Sequence, residues 1–319
     1  MQVFHFNSYY HTNDIHRRLL ELLQREGGIH HVKVSNFLPF FVKSCLGGLQ
    51  TKGVIVHAHT VGRDGYKALL LKFFLRIPYT VTVRNTDINI HWKKRVLRPY
   101  LFSVLFFSSS VLTINLSYKK KLPLKIRNKC EVVPHFIESA WLRNRAHNKV
   151  SNIIEFVYVG RLNKIDFNIL KAVVNSISNE SRIQLFSPSE QDKALAASND
   201  MDAIMLSRSE LFESLKKVDI HLFLSRSETF GMAALETCAM GIPTIIQRGE
   251  GIFDFLPKEL QILACDVDNV NQVCASIRLI LLDYERFSDL SYKFAQSFSA
   301  ANVLAKYKKF YLSISTGQN

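Results

Sequence analysis

Residues 219–243 read DIHLFLSRSETFGMAALETCAMGIP. The apolar run Ile220–Leu224 has the composition of a buried strand, Ser225–Thr229 is a polar turn, 231–240 has helical content, and Gly241 with Pro243 stops it. Strand, turn, helix and stop in this order form a βα unit. Gly231 lets the backbone come close to a ligand, and the free N–H groups of a helix start favour a phosphate there. Glu228 precedes the helix and Glu236 lies eight positions on, inside its second turn. The two carboxylates can serve as separate acceptors, one for a sugar and one for a ribose. By spacing alone they equally fit two solvated glutamates around an ordinary helix.

The same unit repeats on either side. Upstream, Val3–Phe6 is followed by a helical 14–26, Val54–Val56 by 65–76, Tyr79–Val83 by 91–107, and Val111–Ile114 closes the series. After Val132-Val133-Pro134 comes a polar stretch, 138–152, which reads as an interdomain linker. The pattern then restarts with Phe156–Val159, helix 166–177, Ile183–Phe186, helix 209–217, the quoted unit, and Thr244–Ile246. Alternating strands and helices predict two α/β domains with mostly parallel, doubly wound sheets. The expected division is 1–146 and 147–299, with the tail 300–319 as a helix packing back, because Val303, Tyr307, Phe310 and Tyr311 share helical spacing. In such sheets ligands sit beyond the carboxyl ends of strands, so residues just after strands are the candidates.

Composition excludes several classes. Of 319 residues, 47% are hydrophobic and 21% charged, which rules out wholesale disorder. Five widely spaced cysteines without a C-x-x-C pair argue against a disulfide framework and fit a reducing cytoplasm. The start, Met1–Asn7, has no basic region followed by an apolar one, so no secretory signal is read. Pro99–Tyr118 carries no charge but is broken by Pro99, Ser108–Ser110 and Asn115, and reads as helix, turn and strand rather than a membrane span. The net charge of +14 is unevenly placed: residues 1–149 hold 24 basic against 7 acidic side chains, a surplus of 17, and the rest is slightly acidic. In the first half, Lys93, Lys94, Arg95 and Arg98 interleave with Leu97, Tyr100, Leu101 and Phe102, and Lys119–Lys121 precede Lys125, Arg127 and Lys129. Such a surface attracts anionic lipid, at about 1 kcal/mol per close cation, or is simply a solvated basic face. No helix-turn-helix, zinc-finger or RNP signature points to nucleic acid.

The segment 219–243 resembles the E-x7-E region of the retaining glycosyltransferases of family 4, which have the GT-B fold. Phe156–Leu162 with Lys164 resembles their G-R-L…K element, Pro134–Ile137 their P-N-G-I/V turn, and Tyr79–Val83 with Asn85-Thr86-Asp87 the strand ending in an H-G-T-D-like turn. The resemblance spans nearly the whole chain and is strongest over 156–257. It implies two Rossmann-like domains facing a cleft, with the C-terminal helix crossing back. It further implies transfer of a sugar from a nucleotide-diphospho-sugar with retention at the anomeric carbon, using no metal and no cofactor besides the donor substrate.

Carried over by residue, Glu236 would bind the ribose, Glu228 would contact the donor hexose, and Phe230, Gly231 and Met232 would offer backbone amides, with Gly160 and Ser227 alongside. Arg161 and Lys164 would hold the diphosphate and stabilise the charge growing on it. Lys164 follows the arginine more closely than is usual in the family. Arg84 stands where many relatives carry a histidine, and with His59 and Asp87 makes an acceptor-side group. The first loop, Asn7–Asp14, lacks the family's glycine pair. His57 and His59 lack a third metal-ligand partner nearby in the sequence, and neither Asp200-x-Asp202 nor Asp266-x-Asp268 follows a convincing strand. With the basic first half, the resemblance leads to a cytoplasmic, peripheral enzyme at the inner face of a membrane, acting on a lipid-linked or oligosaccharide acceptor in surface-polysaccharide assembly. A nucleotide-sugar epimerase of the same fold and a catalytically idle binding subunit are the alternatives.

Overall fold

The computed structural model describes residues 1–6, 14–26, 29–34, 36–44, 53–145, 153–177, 181–187, 189–226, 228–249 and 251–316. The chain divides into two compact units, Met1–Phe136 with Ala300–Asn319, and Ile137–Ser299.

Unit 1 holds a six-stranded sheet of β1 (Gln2–Phe6), β2 (His30–Lys33), β3 (Val54–Ala58), β4 (Tyr79–Val83), β5 (Ser110–Thr113) and β6 (Cys130–Val132), in the order β2-β1-β3-β4-β5-β6. Every pairing is parallel. β3 and β4 are buried along their whole length, as strands covered on both faces must be. The C-terminal helix Ala300–Thr316 completes this unit: Val303, Leu304, Tyr307, Phe310, Tyr311 and Ile314 pack with Val3, Leu19, Leu23, Ile55 and Leu112 in one apolar cluster. The expected helix 91–107 is interrupted. A π-helical turn over Thr86–His91 and a short 3-10 turn come first, and the regular helix is Arg98–Phe107. Pro99 explains the boundary, since proline fits the first turn of a helix but not its interior. Among the described residues no helix is long and apolar enough to cross a membrane, and 99–118 is divided between this helix, β5 and the helix Leu116–Lys121.

Unit 2 holds a parallel sheet of β7 (Glu155–Val159), β8 (Arg182–Phe186), β9 (Ala203–Ile204), β10 (Ile220–Phe223) and β11 (Thr244–Ile246), in the order β11-β10-β7-β8-β9. The order reverses between β7 and β10, which pair directly. In a doubly wound sheet that reversal opens a crevice at the carboxyl ends. The stretch 138–152, read from sequence as a linker, is in part packed structure: Ser139–Arg143 is helical and belongs to unit 2. Trp141 is buried with its ring 4.2 Å from that of Phe212, and the Tyr292 hydroxyl donates to the Leu142 carbonyl at 3.2 Å. One large aromatic ring anchors this short helix to unit 2.

Candidate functional site

Gly160, the first residue after β7, has φ +149°, and a Cβ there would stand 3.1 Å from the Tyr158 hydroxyl. The turn it makes is held by its own N–H to Phe186 O at 3.0 Å and by the Tyr158 hydroxyl donating to Arg161 O at 3.0 Å. Arg161 follows, exposed at the carboxyl end of the sheet, and the 3-10 turn Leu162–Lys164 then brings Lys164 back over it.

From the neighbouring β10 comes the turn 225–231. Lys164 Nζ lies 2.6 Å from Glu228 Oε1, and Ser225 Oγ donates to the same oxygen at 3.1 Å. Both side chains of the pair are half-buried. The structure thus brings together Lys164 and Glu228, which stand 64 positions apart, and the close spacing of Lys164 to Arg161 follows from the 3-10 turn. The two loops are tied further by the Arg226 N–H to Lys164 O at 3.1 Å. The Arg226 guanidinium bridges Asp268 at 2.7 Å and Asp166 at 2.9 Å, which holds the Asp166 carboxyl below its ordinary range. Asp268, one member of an Asp-x-Asp pair, is therefore engaged in positioning this loop. Ser227 lies outside the described residues.

Gly231 has φ +93° and caps the helix Met232–Ala239 without any side-chain cap. A Cβ at Gly231 would meet the Phe223 ring at 3.2 Å, so only glycine makes this turn without strain. Phe230 is buried against Phe255 and Phe298, which fixes the entry to the helix. His221, inside β10, fastens the helix to the sheet. Burial holds its pKa down to about 3, so the ring is neutral. Its Nε2 accepts from the Val159 N–H at 3.3 Å; the proton is therefore on Nδ1, which donates to Thr237 Oγ1 at 2.8 Å.

Glu236 is half-buried on the same helix. Arg208, which sequence reasoning missed, stands 4.0 Å from Glu236 and 3.0 Å from Glu138, with its guanidinium over the Trp141 ring. Its signal in the sequence is the S-x-x-E capping box, Ser207 with Glu210, which starts the helix Arg208–Leu215 and so places Arg208 in its first turn. Unit 2 therefore brings Lys164 to Glu228 beside the start of the helix Met232–Ala239, and Arg208 to Glu236 on that helix.

The acceptor-side residues of unit 1 are placed differently from expectation. Asp87 is buried, accepting from the Arg84 N–H at 3.0 Å and the Val61 N–H at 3.4 Å; burial raises its pKa against these bonds. It staples together the turns after β3 and β4. The His59 ring is likewise buried, stacked on His57 at 4.2 Å and within 2.9 Å of His5 Nδ1. Arg84 is half-buried, its Nε donating to the His59 carbonyl. Its charge, after burial, contributes to holding His135 down to about 4. The loop 7–13 lies outside the described residues.

Residues 201–299, the part of unit 2 that carries Glu228, Gly231 and Glu236, match the family model "Family 4 Glycosyltransferase in conflict systems". Over 313 residues the chain is 21% identical to the uncharacterized glycosyltransferase MJ1178 of Methanocaldococcus jannaschii, covering 90% of this chain and 84% of that protein. Among solved structures, Anabaena Alr3699/HepE in complex with UDP and glucose aligns over 98% of this chain and 100% of its own, with TM-score 0.71 at 11% identity. Sucrose-phosphate synthase from Thermosynechococcus elongatus aligns over 99% of both chains, with TM-score 0.72 at 14% identity. The lipopolysaccharide outer core galactosyltransferase WaaB, in its apo form, aligns over 98% and 99%, with TM-score 0.67 at 13% identity. The fold is GT-B, and the resemblance to family 4 is supported by the family model and the curated relative together.

Proposed function

We propose that this glycosyltransferase of GT-B fold moves a sugar from a nucleotide-diphospho-sugar to a hydroxyl acceptor, with retention at the anomeric carbon. The observation that carries the reading is the Lys164–Glu228 contact at 2.6 Å beside the glycine-led start of the helix Met232–Ala239. HepE, solved in complex with UDP-glucose, supports a donor of this class.

As the glycosidic bond lengthens, negative charge grows on the leaving diphosphate. Arg161, Lys164 and the N–H groups at 231–232 are fixed cations and dipoles that meet this charge more strongly in the transition state than in the bound donor. They supply the charge that other transferases draw from a metal, so the reading needs no cofactor. Glu228 accepts from hexose hydroxyls and Glu236 from the ribose. The described side chains that contact Glu228, Lys164 and Ser225, are not general bases, which favours a front-face displacement in which a donor phosphate oxygen takes the acceptor proton.

We further propose a lipid-linked acceptor of surface-polysaccharide assembly and a peripheral seat on the cytoplasmic face of a membrane. Support comes from unit 1, where Phe73, Phe74, Phe102, Phe106 and Phe107 are exposed on the helices Arg63–Leu75 and Arg98–Phe107. Phe73 touches Phe107 at 5.2 Å and Phe106 touches Phe107 at 5.3 Å, with Lys129 Nζ bonded to the Phe106 carbonyl. An exposed aromatic patch on the strongly basic half of the chain suits an anionic interface.

Thermal shift against UDP-, GDP-, dTDP- and CDP-sugars tests the donor class; a ligand at about a hundred times its Kd adds about 2.7 kcal/mol. Stabilisation that disappears in Glu236→Ala is expected, and NMR of the product reads the anomeric configuration. No response to any nucleotide-sugar would sink the reading. Donor consumption without an acceptor would indicate an epimerase instead. Sedimentation with anionic vesicles, lost in a Phe102→Ser/Phe106→Ser/Phe107→Ser variant, tests the membrane seat.

A further inference from the structure

Arg208 stands where a cation does not help its own helix. It occupies the first turn of Arg208–Leu215, where the helix dipole disfavours positive charge, and the capping box of Ser207 and Glu210 starts that helix without it. Its surroundings account for its presence. The guanidinium lies over the Trp141 ring, 5.4 Å from the centroid, while Nη2 stands 3.0 Å from Glu138 Oε2 and 4.0 Å from Glu236 Oε1. The helices Ser139–Arg143, Arg208–Leu215 and Met232–Ala239, all of unit 2, thus meet at one side chain.

The guanidinium is fixed independently of Glu236. Arg208 and Phe212 lie four positions apart on one helix face, and both rest on the buried Trp141 ring. A flat, delocalised cation suits an indole face in a way that an ammonium does not. Glu138, which precedes the helix carrying Trp141, takes the closer ion pair. Glu236 is too far for a direct hydrogen bond and feels a fixed charge instead. Nη2 is shielded from solvent, so it stands behind the Glu236 carboxylate rather than in the path of a ligand, and its field is less screened than in water.

We infer that Arg208 is a positioning residue for nucleotide recognition: it holds the Glu236 carboxylate in place for the 2′- and 3′-hydroxyls of the donor and so makes the site select ribonucleotides over 2′-deoxyribonucleotides. The inference rests on the assignment of Glu236 to the ribose. Two carboxylates that share one nitrogen stand within about 7 Å of each other. Without the cation between them they repel, and the Glu236 side chain is released to turn away. A carboxylate held still accepts from both hydroxyls of the diol, and a 2′-deoxy sugar leaves it one donor short, a loss of about 10- to 100-fold in affinity. A carboxylate that wanders gains little from the second hydroxyl. Glu138 and Trp141, on a segment that reads as linker, thereby reach the site through one side chain.

Isothermal titration calorimetry of the full-length chain compares UDP, GDP, ADP and CDP with their 2′-deoxy counterparts. Wild type should bind a ribonucleotide about 10- to 100-fold more tightly than its deoxy form. Arg208→Met keeps an apolar stem over Trp141 but no charge. It should weaken the ribonucleotide about tenfold, leave the deoxy form nearly unchanged, and add nothing to Glu236→Ala in the double variant. Arg208→Lys should recover part of the preference. Equal weakening of both nucleotides would mark a merely structural residue and overturn the inference, as would an undiminished preference or additive losses. Should Arg208→Met not fold, the structure of the wild-type complex decides, and a guanidinium drawn away from Glu236 while the ribose is bound overturns the assignment. If wild type binds none of the nucleotides, the donor reading fails and the inference with it; nucleotide binding without the expected change in the variants sinks the inference alone.

Discussion

Lys164 and Glu228 neutralise one another, and Ser225 donates to the same carboxylate oxygen. A diphosphate entering beside the Gly231 turn would compete for the ammonium and leave Glu228 to accept from sugar hydroxyls. Lys164→Ala should therefore lower kcat at saturating donor by about 10²-fold, with Lys164→Arg restoring part of it; steady-state kinetics check this. An unchanged kcat would remove Lys164 from the transition state. His221 makes a different claim. Its folded pKa is lowered from 6.5 to about 3. The unfolded chain thus binds the extra proton first, and the ring's contribution to stability, complete above 6.5, falls away as pH drops towards 3. Thermal unfolding of unit 2 should shift to lower temperature between about pH 7 and about pH 5, and His221→Gln should flatten that slope. A slope as steep in the variant would assign the acid sensitivity elsewhere.

Elements show what one sequence discloses. The βα unit at 219–243 was readable nearly to the residue because an apolar run, a polar turn, a positive-φ glycine and a Gly–Pro stop all agree; the observed bounds are Ile220–Phe223 and Met232–Ala239. Ser139–Arg143 was not readable, because five residues, Ser-Ala-Trp-Leu-Arg, are too few to show a helical period. Its burial depends on Phe212, 71 positions away in sequence. Trp141→Ala should accordingly destabilise unit 2 by about 3–5 kcal/mol, measured by denaturant unfolding with donor binding as a fold check. A loss below about 1 kcal/mol would make the segment the linker it resembles in composition. β9, two residues long, fell beneath any pattern. In the site, strand-end residues such as Gly160 and Arg161 were legible because chain order alone puts them at the carboxyl edge. Arg208 beside Glu236, and His5 opposite His57, were not, since an ion pair between helices and a register between parallel strands exist only once the chain has folded. His59 and Asp87 stand after strands, as chain order implies, and both side chains are buried, which chain order does not disclose.

At the scale of the whole molecule the two units differ in construction as they do in charge. Unit 2 is one continuous stretch, whereas unit 1 is assembled from the beginning and the end of the chain. The helix Ala300–Thr316 contributes six side chains to the unit 1 cluster. Its removal would bare Val3, Leu19 and Ile55 to water, at about 25 cal/mol per Å² of apolar surface. A chain ending at Ser299 should keep a protease-resistant unit 2 that responds to nucleotide-sugar, while unit 1 is digested; limited proteolysis with mass spectrometry reads this. Survival of both units would show that the helix is dispensable cover. The feature also orders events during translation. The ribosome delivers the six strands of unit 1 early, but withholds the helix that seals them until every residue of unit 2 has emerged. The second unit is thus free to fold first, while the older segment waits for its missing piece, and a nonsense codon between positions 300 and 310 would leave that segment unfinished.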